Sequence, residues 1–154
     1  MEKKHVFIDM DGTLTVFEND RGKIITRENE FTEKFFETRK PCDIMIVAIM
    51  NLFDTNAWEY HILSNSPNKE STKGKNKWLD IYFPVKSEYR HFLEGDNQGK
   101  RESKSNAIIN WCFENDVELK DVAFIDDDYS NLVDVETIRV DSYHPSKVLY
   151  KYKK

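Results

Sequence analysis

Three short apolar segments, each followed directly by polar side chains, constrain the fold of this chain more than any other feature. They span residues 6–8, 60–63 and 122–125. Short continuous apolar runs are typical of strands that are buried on both faces of a parallel sheet. Helical patterns separate them along the chain, so the sequence predicts alternating strands and helices, an α/β fold with a central parallel sheet.

The segments between these strands predict the other elements of the fold. Residues 44–53 are apolar on nearly every side. This run is long for a strand, and Asp43, a residue type that often caps helices, precedes it, so we expect a buried helix. Residues 137–140 predict a further strand at an edge of the sheet. The remaining predictions are helices at 30–38, 69–82 and 103–115, the last capped by Ser103 or Ser105, and a short strand within 84–92.

Length and composition fit one globular domain. The chain has 154 residues, of which 39% are hydrophobic, and this is enough for a sizeable core. Five Gly and four Pro are too few for a disordered or fibrous chain. Residues 15–30 are polar and mixed in character. We therefore expect a single domain spanning residues 1–154, in which residues 15–30 form a short flap.

Charge and cysteine content argue against several classes of protein. The 28 acidic and 23 basic residues give a formal net charge of −5, without the basic surface that a nucleic-acid backbone requires. The longest apolar run is far shorter than the roughly 18 residues of a membrane helix, and the N-terminus does not resemble a signal peptide. Cys42 and Cys112 fit free core thiols in a reducing compartment. We expect a cytoplasmic protein that does not bind membranes, and the net charge argues against a nucleic-acid partner.

Carboxylates gather where the predicted strands end. Asp9 and Asp11 follow the first strand, and Asp126 and Asp127 follow the third. Ligands bind outside the carboxyl ends of the strands in an open parallel sheet, so these side chains should converge on one crevice. A single Asp at a strand end is often only a turn former, but two such clusters after buried strands indicate a cation site. An all-oxygen ligand set favours Mg²⁺, which adds water and a substrate phosphate to a few carboxylates.

Three stretches of the sequence resemble motifs of the haloacid dehalogenase-like (HAD) hydrolases. Residues 7–13, Phe-Ile-Asp-Met-Asp-Gly-Thr, look like the Asp-x-Asp-x-Thr signature of that superfamily. Residues 62–65 resemble its second motif, a strand that ends in Ser or Thr, and residues 124–127 resemble its fourth, an acidic pair after a strand. The motifs occur in the family's order and span most of the chain. The resemblance implies a Rossmann-like three-layer α/β/α fold.

The same resemblance implies a role for each motif residue. Asp9 would be the nucleophile that forms an aspartyl-phosphate, and Asp11 would be the general acid and then the base. Ser64 would hydrogen-bond the phosphoryl oxygens, together with the neighbouring Asn65. The implied ligands of Mg²⁺ are the carboxylates of Asp9 and Asp127 and the backbone carbonyl of Asp11, with Asp126 sharing or supporting that task.

A catalytic lysine, the family's third motif, is also implied, and the sequence offers two main candidates for it. Lys104 opens the predicted helix that leads into the third strand, an arrangement that resembles many small HAD phosphatases. Lys75 stands in a Lys-x-x-Trp stretch that resembles the deoxyribonucleotidase branch. Lys77 and Lys100 are lesser candidates. We place Lys104 first and Lys75 second.

The motif spacing leaves no room for a substantial cap, the inserted element by which HAD enzymes usually select substrates. An open site of this kind suits either a bulky phosphorylated partner or a substrate that another subunit covers. A homo-oligomer is therefore also consistent with the sequence. Residues 35–41 and 62–67 are similar in layout to the deoxy-type 5′-nucleotidases, although Thr13 stands where those enzymes usually carry Val. The aromatic residues that are candidates for stacking on a base are Phe17, Trp58 and Tyr129.

Three functions are consistent with these features. The first is a Mg²⁺-dependent phosphomonoester hydrolase for a small phosphorylated molecule, which the nucleotidase layout extends to (deoxy)nucleoside monophosphates. The second is a phosphatase that acts on a phosphoprotein or a polynucleotide end. The third is a non-catalytic phosphate-binding module, and the intact motif side chains argue against it. Transfer of the phosphoryl group to a sugar rather than to water also stays open.

Overall fold

The computed structural model describes residues 2–16 and 32–153. Five strands form a sheet in which every pair of neighbours is parallel, in the order β3-β2-β1-β4-β5. The parallel sheet expected from the sequence is therefore confirmed. The expected flap at 15–30 falls almost entirely outside the described residues. The strands are β1 (Lys4–Ile8), β2 (Trp58–Ser66), β3 (Arg90–Glu94), β4 (Val122–Ile125) and β5 (Asp141–Tyr143).

Helices connect successive strands. The predicted helix at 69–82 and the predicted strand at 122–125 have the expected bounds, whereas β2 runs three residues further than the apolar segment that marked it. No helix of the described residues is both long and apolar enough to cross a membrane. The helices are α1 (Glu33–Glu37), α2 (Asp43–Leu52), α3 (Lys69–Tyr82), α4 (Lys104–Asn115), α5 (Tyr129–Glu136) and α6 (Pro145–Tyr152).

Helices cover both faces of the sheet, which confirms the three-layer α/β/α architecture. Alternate residues of each strand point to opposite faces, so Val6 and Ile8 join one core and Phe7 joins the other. The first core contains the buried sides of α2, α3 and α6, including Trp78 of α3. The second contains those of α4 and α5, with Trp111 of α4 packed against it. We refer to these as the α3 layer and the α4 layer.

The apolar segment at 44–53 is helical, as predicted, but it is not buried on all sides. Ile44, Val47 and Met50 share one side of α2 and are about half exposed, at 53%, 45% and 50%. The helix begins at Asp43, which follows the N-cap residue Cys42, and no side chain caps it. The prediction that Asp43 is the cap is therefore wrong, and so is the prediction of a fully buried helix, because α2 lies in an outer layer.

The predicted edge strand at 137–140 is also wrong. Helix α5 continues to Glu136, and the chain then turns through Arg139, whose φ of 63° lies in the left-handed region. A strand cannot pass through such a residue, because an extended backbone needs a negative φ. The edge strand β5 follows the turn, at Asp141–Tyr143.

A chain of three histidines crosses the α4-layer face of the sheet. His5 of β1, His61 of β2 and His91 of β3 are joined by ring nitrogen contacts of 2.9 Å and 3.0 Å. The His61 ring is fully buried and stacks on Tyr89, while Trp111 packs edge-on against it. We refer to these three residues as the histidine chain. Burial lowers the pKa of His61 to about 2 and the pKa of His91 to about 4, so both rings are neutral at pH 7.

Candidate active site

The carboxyl ends of β1, β2 and β4 meet at one edge of the sheet. The Asp9 N–H donates to the Ile125 carbonyl at 2.9 Å, and the Asp126 N–H donates to the Tyr143 carbonyl at 3.2 Å. The sheet ladder thus extends one residue beyond β1 and β4. These backbone contacts place the side chains of Asp9 and Asp126 next to each other, where the motifs predicted a crevice.

Three carboxylates form a compact cluster at this edge. Oxygens of Asp9, Asp126 and Asp127 lie within 4.8 Å of one another, with the first two residues buried and the third exposed. Gly12, which has a φ of 80°, passes so close that a Cβ at this position would overlap the Asp127 carboxylate. The tight turn after β1 therefore depends on glycine for two reasons, its backbone conformation and the space that Asp127 needs.

Lys104 joins two members of the cluster. Its Nζ donates to Asp9 Oδ1 at 2.9 Å and to Asp126 Oδ2 at 2.6 Å, and its side chain is only 3% exposed. The first turn of α4 is held in turn by Ser105, whose N–H and hydroxyl donate to the Asp134 carboxylate of α5 at 3.0 Å and 2.9 Å. The α4 layer thus delivers one buried cation to the acidic cluster.

Lys75 enters the site from the other layer. Its side chain is fully buried, and its Nζ donates to Asp11 Oδ2 at 2.9 Å, to Ser64 Oγ at 3.0 Å and to the Asn65 carbonyl at 2.6 Å. Ser64 and Asn65 belong to β2 itself, because this strand continues to Ser66. Both lysines that the sequence proposed as alternatives therefore reach the site. Lys75 contacts Asp11, and Lys104 contacts Asp9 and Asp126.

Burial and charge shift the pKa values of the site in opposite directions. Burial raises the pKa of Asp9 well above its usual value, and the nearby ammonium group of Lys104 opposes that shift. Burial by itself lowers the pKa of Lys104, but the carboxylates of Asp9 and Asp126 outweigh it and raise that pKa. Burial also raises the pKa of Asp127. The carboxylates thus hold Lys104 as a cation, and a further positive charge at the cluster would favour the ionised forms of Asp9 and Asp127.

Two buried oxygens of the site have no hydrogen-bond partner among the described residues, Asp11 Oδ1 and Thr13 Oγ1. Buried polar atoms usually have a hydrogen-bond partner, so each of these oxygens can accept a hydrogen bond from a water molecule or a ligand in the site. The sequence analysis identified the motif that contains Thr13 but gave the Thr13 hydroxyl no role. The burial of this hydroxyl depends on how the turn after β1 folds.

Sequence reasoning missed a residue that supports the acidic pair. Asn131 of α5 donates through Nδ2 to Asp126 Oδ2 at 3.1 Å, and the Asp128 N–H donates to Asp126 Oδ1 at 2.8 Å. With the contact from Lys104, both carboxylate oxygens of Asp126 are occupied. The only sequence signal for this role of Asn131 was its position in the first turn of the helix that follows the acidic motif. Many surface residues occupy such positions, so the signal is weak.

The charges of the site fit a divalent cation. The carboxylates of Asp9, Asp11, Asp126 and Asp127 face only the two ammonium groups of Lys75 and Lys104 in these contacts, which leaves a formal excess of two negative charges. The donors are all hard oxygens, the type that Mg²⁺ prefers. The residues present therefore fit Mg²⁺ in charge and in donor chemistry.

The structure places the other candidates elsewhere. Lys77 points to the surface, 3.3 Å from Glu33, and Lys100 is exposed in the turn after β3. Trp58 lies at the amino end of β2, opposite the site, where it packs on Phe53. Tyr129 is 68% exposed at the start of α5, just after the acidic motif. Phe17 lies outside the described residues.

Comparison with known proteins supports the fold. No family model matches the chain, and no curated protein matches it. Among solved structures it is similar to the N-terminal part of the protein BF1531 from Bacteroides fragilis, which contains a phosphatase domain complexed with Mg. The identity is 13% and the TM-score 0.59, over 97% of this chain and 39% of that one. This chain thus spans well under half of the solved Bacteroides fragilis chain.

Two further structures match over most of both chains. The HAD domain of the effector protein Lem4 from Legionella pneumophila is 12% identical with a TM-score of 0.54, over 92% of this chain and 84% of that one. A HAD family enzyme from Bacteroides thetaiotaomicron, in complex with magnesium and inorganic phosphate, is 12% identical with a TM-score of 0.55, over 93% and 94%. At these identities the likeness establishes the fold, which is that of the HAD-domain phosphatases.

Proposed function

We propose that this chain is a Mg²⁺-dependent phosphomonoester hydrolase that works through an aspartyl-phosphate on Asp9. The observation that carries the proposal is the pairing of a buried carboxylate with a buried cation, Lys104, at the carboxyl edge of a HAD-type sheet. A carboxylate can approach a phosphate dianion only where positive charge offsets their repulsion. The neighbouring Lys75 adds a second such charge.

The reaction has two steps in which bonds and protons balance. An Asp9 carboxylate oxygen attacks phosphorus, the ester P–O bond breaks, and Asp11 gives a proton to the leaving oxygen. A water molecule then attacks the aspartyl-phosphate while Asp11 takes up its proton, and inorganic phosphate leaves as Asp9 is regenerated. Lys104, which contacts Asp9, and Ser64 are placed to bind the phosphoryl oxygens, with Asn65 beside them.

Asp9 and Asp127 are the carboxylates that we propose as ligands of Mg²⁺, together with the backbone carbonyl of Asp11. Asp126 has both oxygens occupied by hydrogen bonds, which favours a supporting role in which it holds Lys104. When bound, the metal supplies positive charge that stabilises the phosphoryl oxygens as the bonds change. The excess of two negative charges in the site supports this part of the proposal.

The substrate that we propose is a small phosphorylated molecule in the cytoplasm, with (deoxy)nucleoside monophosphates as the first class to test. The layout of residues 35–41 and 62–67 supports this choice. We infer a single catalytic domain that has an open site and at most a short flap. The net charge of −5 argues against a polynucleotide end as substrate.

Phosphate release tests the proposal directly. Release from p-nitrophenyl phosphate and a panel of nucleoside and deoxynucleoside monophosphates should require Mg²⁺, stop with EDTA, and vanish in Asp9→Asn. A matched control is Asp141→Asn, which changes an exposed carboxylate at the amino end of β5 and should keep wild-type activity. The panel ranks nucleotides against other esters, and added glucose or ribose as acceptor separates hydrolysis from transfer.

Other results would count against the proposal. Activity that survives in Asp9→Asn rules out the covalent mechanism. Binding of inorganic phosphate without turnover of any ester favours a phosphate-binding module instead. Activity on phosphopeptides alone identifies the substrate as a macromolecule.

A further inference from the structure

The two buried lysines of the site differ in how many of their donors are free. Lys75 Nζ makes three hydrogen bonds, to Asp11 Oδ2, Ser64 Oγ and the Asn65 carbonyl. An ammonium group has three N–H donors, so Lys75 has none left for a substrate. Lys104 Nζ makes two hydrogen bonds within the described residues and keeps one donor. Only Lys104 can therefore contact a phosphoryl oxygen without giving up a contact that it already makes.

The two oxygens of Asp11 are also unequal. Oδ2 accepts the hydrogen bond from Lys75, whereas Oδ1 is buried without a partner among the described residues. Because Lys75 is fully buried and also tied to β2, it fixes the orientation of the Asp11 carboxyl group. Lys75 therefore determines how Asp11 presents its carboxyl group to the site, where the Asp11 side chain is 26% exposed.

We propose, on the basis of the phosphohydrolase function proposed above, that Lys75 is a positioning residue for the general acid Asp11. In the first step, the electron pair of the breaking P–O bond passes to the leaving oxygen, and the Asp11 carboxyl group gives that oxygen its proton. Lys75 keeps its three hydrogen bonds throughout. Lys104 acts on the other side of the reaction, at Asp9 and the phosphoryl group.

This division of tasks defines a substrate class. An aliphatic alcohol leaves as a strongly basic alkoxide, so cleavage of its phosphate ester depends on a well-placed acid. A nitrophenolate leaves readily without a proton. A site whose general acid is held in place in this way should therefore gain most with phosphate monoesters of aliphatic alcohols, such as those of sugars and nucleosides, and least with aryl or acyl phosphates.

The dependence of rate on the leaving group tests this inference. The probes are p-nitrophenyl phosphate and the best aliphatic ester among glycerol 2-phosphate and the nucleoside 5′-monophosphates. Lys75→Met should lower kcat/KM for the aliphatic ester roughly 10²-fold and lower it for p-nitrophenyl phosphate by less than about 10-fold. Lys104→Met should lower both by similar factors, because the phosphoryl group is common to both esters. Lys73→Met, an exposed lysine on the same helix, serves as the matched control.

A double variant shows whether Lys75 acts through Asp11. Asp11→Asn should reproduce the preferential loss on the aliphatic ester, and adding Lys75→Met to it should cost no more than a few-fold further. Lys75→Gln keeps N–H donors to Asp11 and Ser64 and should recover part of the lost rate. It also replaces Lys75→Met if circular dichroism shows that the methionine variant does not fold.

Several outcomes overturn the inference. Equal losses on both esters in Lys75→Met or Lys75→Gln show that Lys75 has a structural role or contacts the phosphoryl group. A wild-type protein that cleaves only p-nitrophenyl phosphate contradicts the substrate class. A wild-type protein that releases phosphate from neither ester shows instead that the proposed function itself fails, before the lysines are compared.

Discussion

Lys104 Nζ lies 2.6 Å from Asp126 Oδ2, and both side chains are almost completely excluded from solvent. The same ammonium group also contacts Asp9, so one cation neutralises part of a buried acidic cluster. Removing one partner of a buried ion pair leaves an uncompensated charge, which is far more costly than losing an exposed pair. The contact therefore matters for stability as well as for the proposed reaction.

Lys104→Met should lower the free energy of unfolding by about 3–5 kcal/mol, because two buried carboxylates lose their cation. Urea denaturation followed by circular dichroism measures this change. The loss should be greater in EDTA than in millimolar Mg²⁺, since a divalent cation at the cluster replaces part of the missing charge. Lys120→Met, which removes an exposed lysine paired with Glu118, is the control and should cost less than about 1 kcal/mol. A Lys104→Met protein as stable as this control would falsify the proposed electrostatic role.

Gly12→Ala should weaken Mg²⁺ binding more than it weakens the fold. Its Cβ would overlap the Asp127 carboxylate, so that side chain must move away from Asp9. Gly99→Ala is a matched control, because Gly99 also has a φ of 80° but has open space around its Cα. Both variants should lose about 1 kcal/mol of stability from backbone strain. Isothermal titration calorimetry with Mg²⁺ should show weaker binding for Gly12→Ala alone, and equal affinities would contradict this account of the turn.

Gly74→Ala should destabilise the protein although alanine is the better helix former. Gly74 lies within α3, and a Cβ there would overlap the backbone carbonyl oxygen of Glu33 in α1. The gain of about 1 kcal/mol in helix propensity is outweighed by overpacking, which typically costs 1–3 kcal/mol. Thermal unfolding measures the net change, and Lys73→Ala, one residue earlier and exposed, provides the comparison. A net stabilisation in Gly74→Ala would show that α1 can move away without cost.

The histidine chain should make the protein less stable in acid. Burial lowers the pKa of His61 to about 2, of His91 to about 4, and also that of His5. The unfolded chain, with histidine pKa values near 6.5, therefore binds more protons than the folded chain below that pH. Stability should be complete above about pH 6.5 and should fall as the pH drops towards 4, by up to about 1.4 kcal/mol per pH unit for each histidine.

The arrangement of the rings sets how many protons the chain can accept. Two contacts join three imidazoles, and each contact holds one hydrogen, so only one extra proton fits without breaking a contact. Glu59 and Asp121 favour a proton on His5, whereas Lys86 disfavours one on His61.

Unfolding measured in urea between pH 7.5 and 4.5 tests the pH dependence. His91→Gln should reduce its slope, and the control His144→Asn, at the N-cap of α6 and outside the chain, should not. Identical slopes for all three proteins would contradict the role of the histidine chain.

Short-range patterns in the sequence predicted most of the fold. The prediction of α3 came from Trp78 and Leu79 on one side of the helix, and that of β4 from its apolar run. The error at 137–140 arose because a short run with β-branched residues resembles a strand, and the left-handed conformation of Arg139 in the turn after α5 is not visible in that pattern. Likewise, the exposure of Val47 in α2 depends on its place in an outer layer.

The sequence predicted the carboxylates of the candidate site and named both of its lysines, but as alternatives rather than as a pair. Asp9 and Asp126 follow strands that the sequence identified, so the topology brings them together. Lys75 and Lys104 appeared as alternatives because a single catalytic lysine was expected. That both lysines contact the site depends on how far their side chains extend from two different helices. The spacing of residues along the chain does not show this.

The origin of the two lysines in opposite layers has a consequence for how the protein acquires its site during folding. A state with only the α3 layer docked on the sheet would hold Asp11 and Ser64 in place but would leave Asp9 without its cation. Tryptophans lie on both sides of the sheet, Trp58 and Trp78 on one and Trp111 on the other. We therefore expect the complete site to form in refolding only when both layers have docked, which single-tryptophan variants would report by fluorescence.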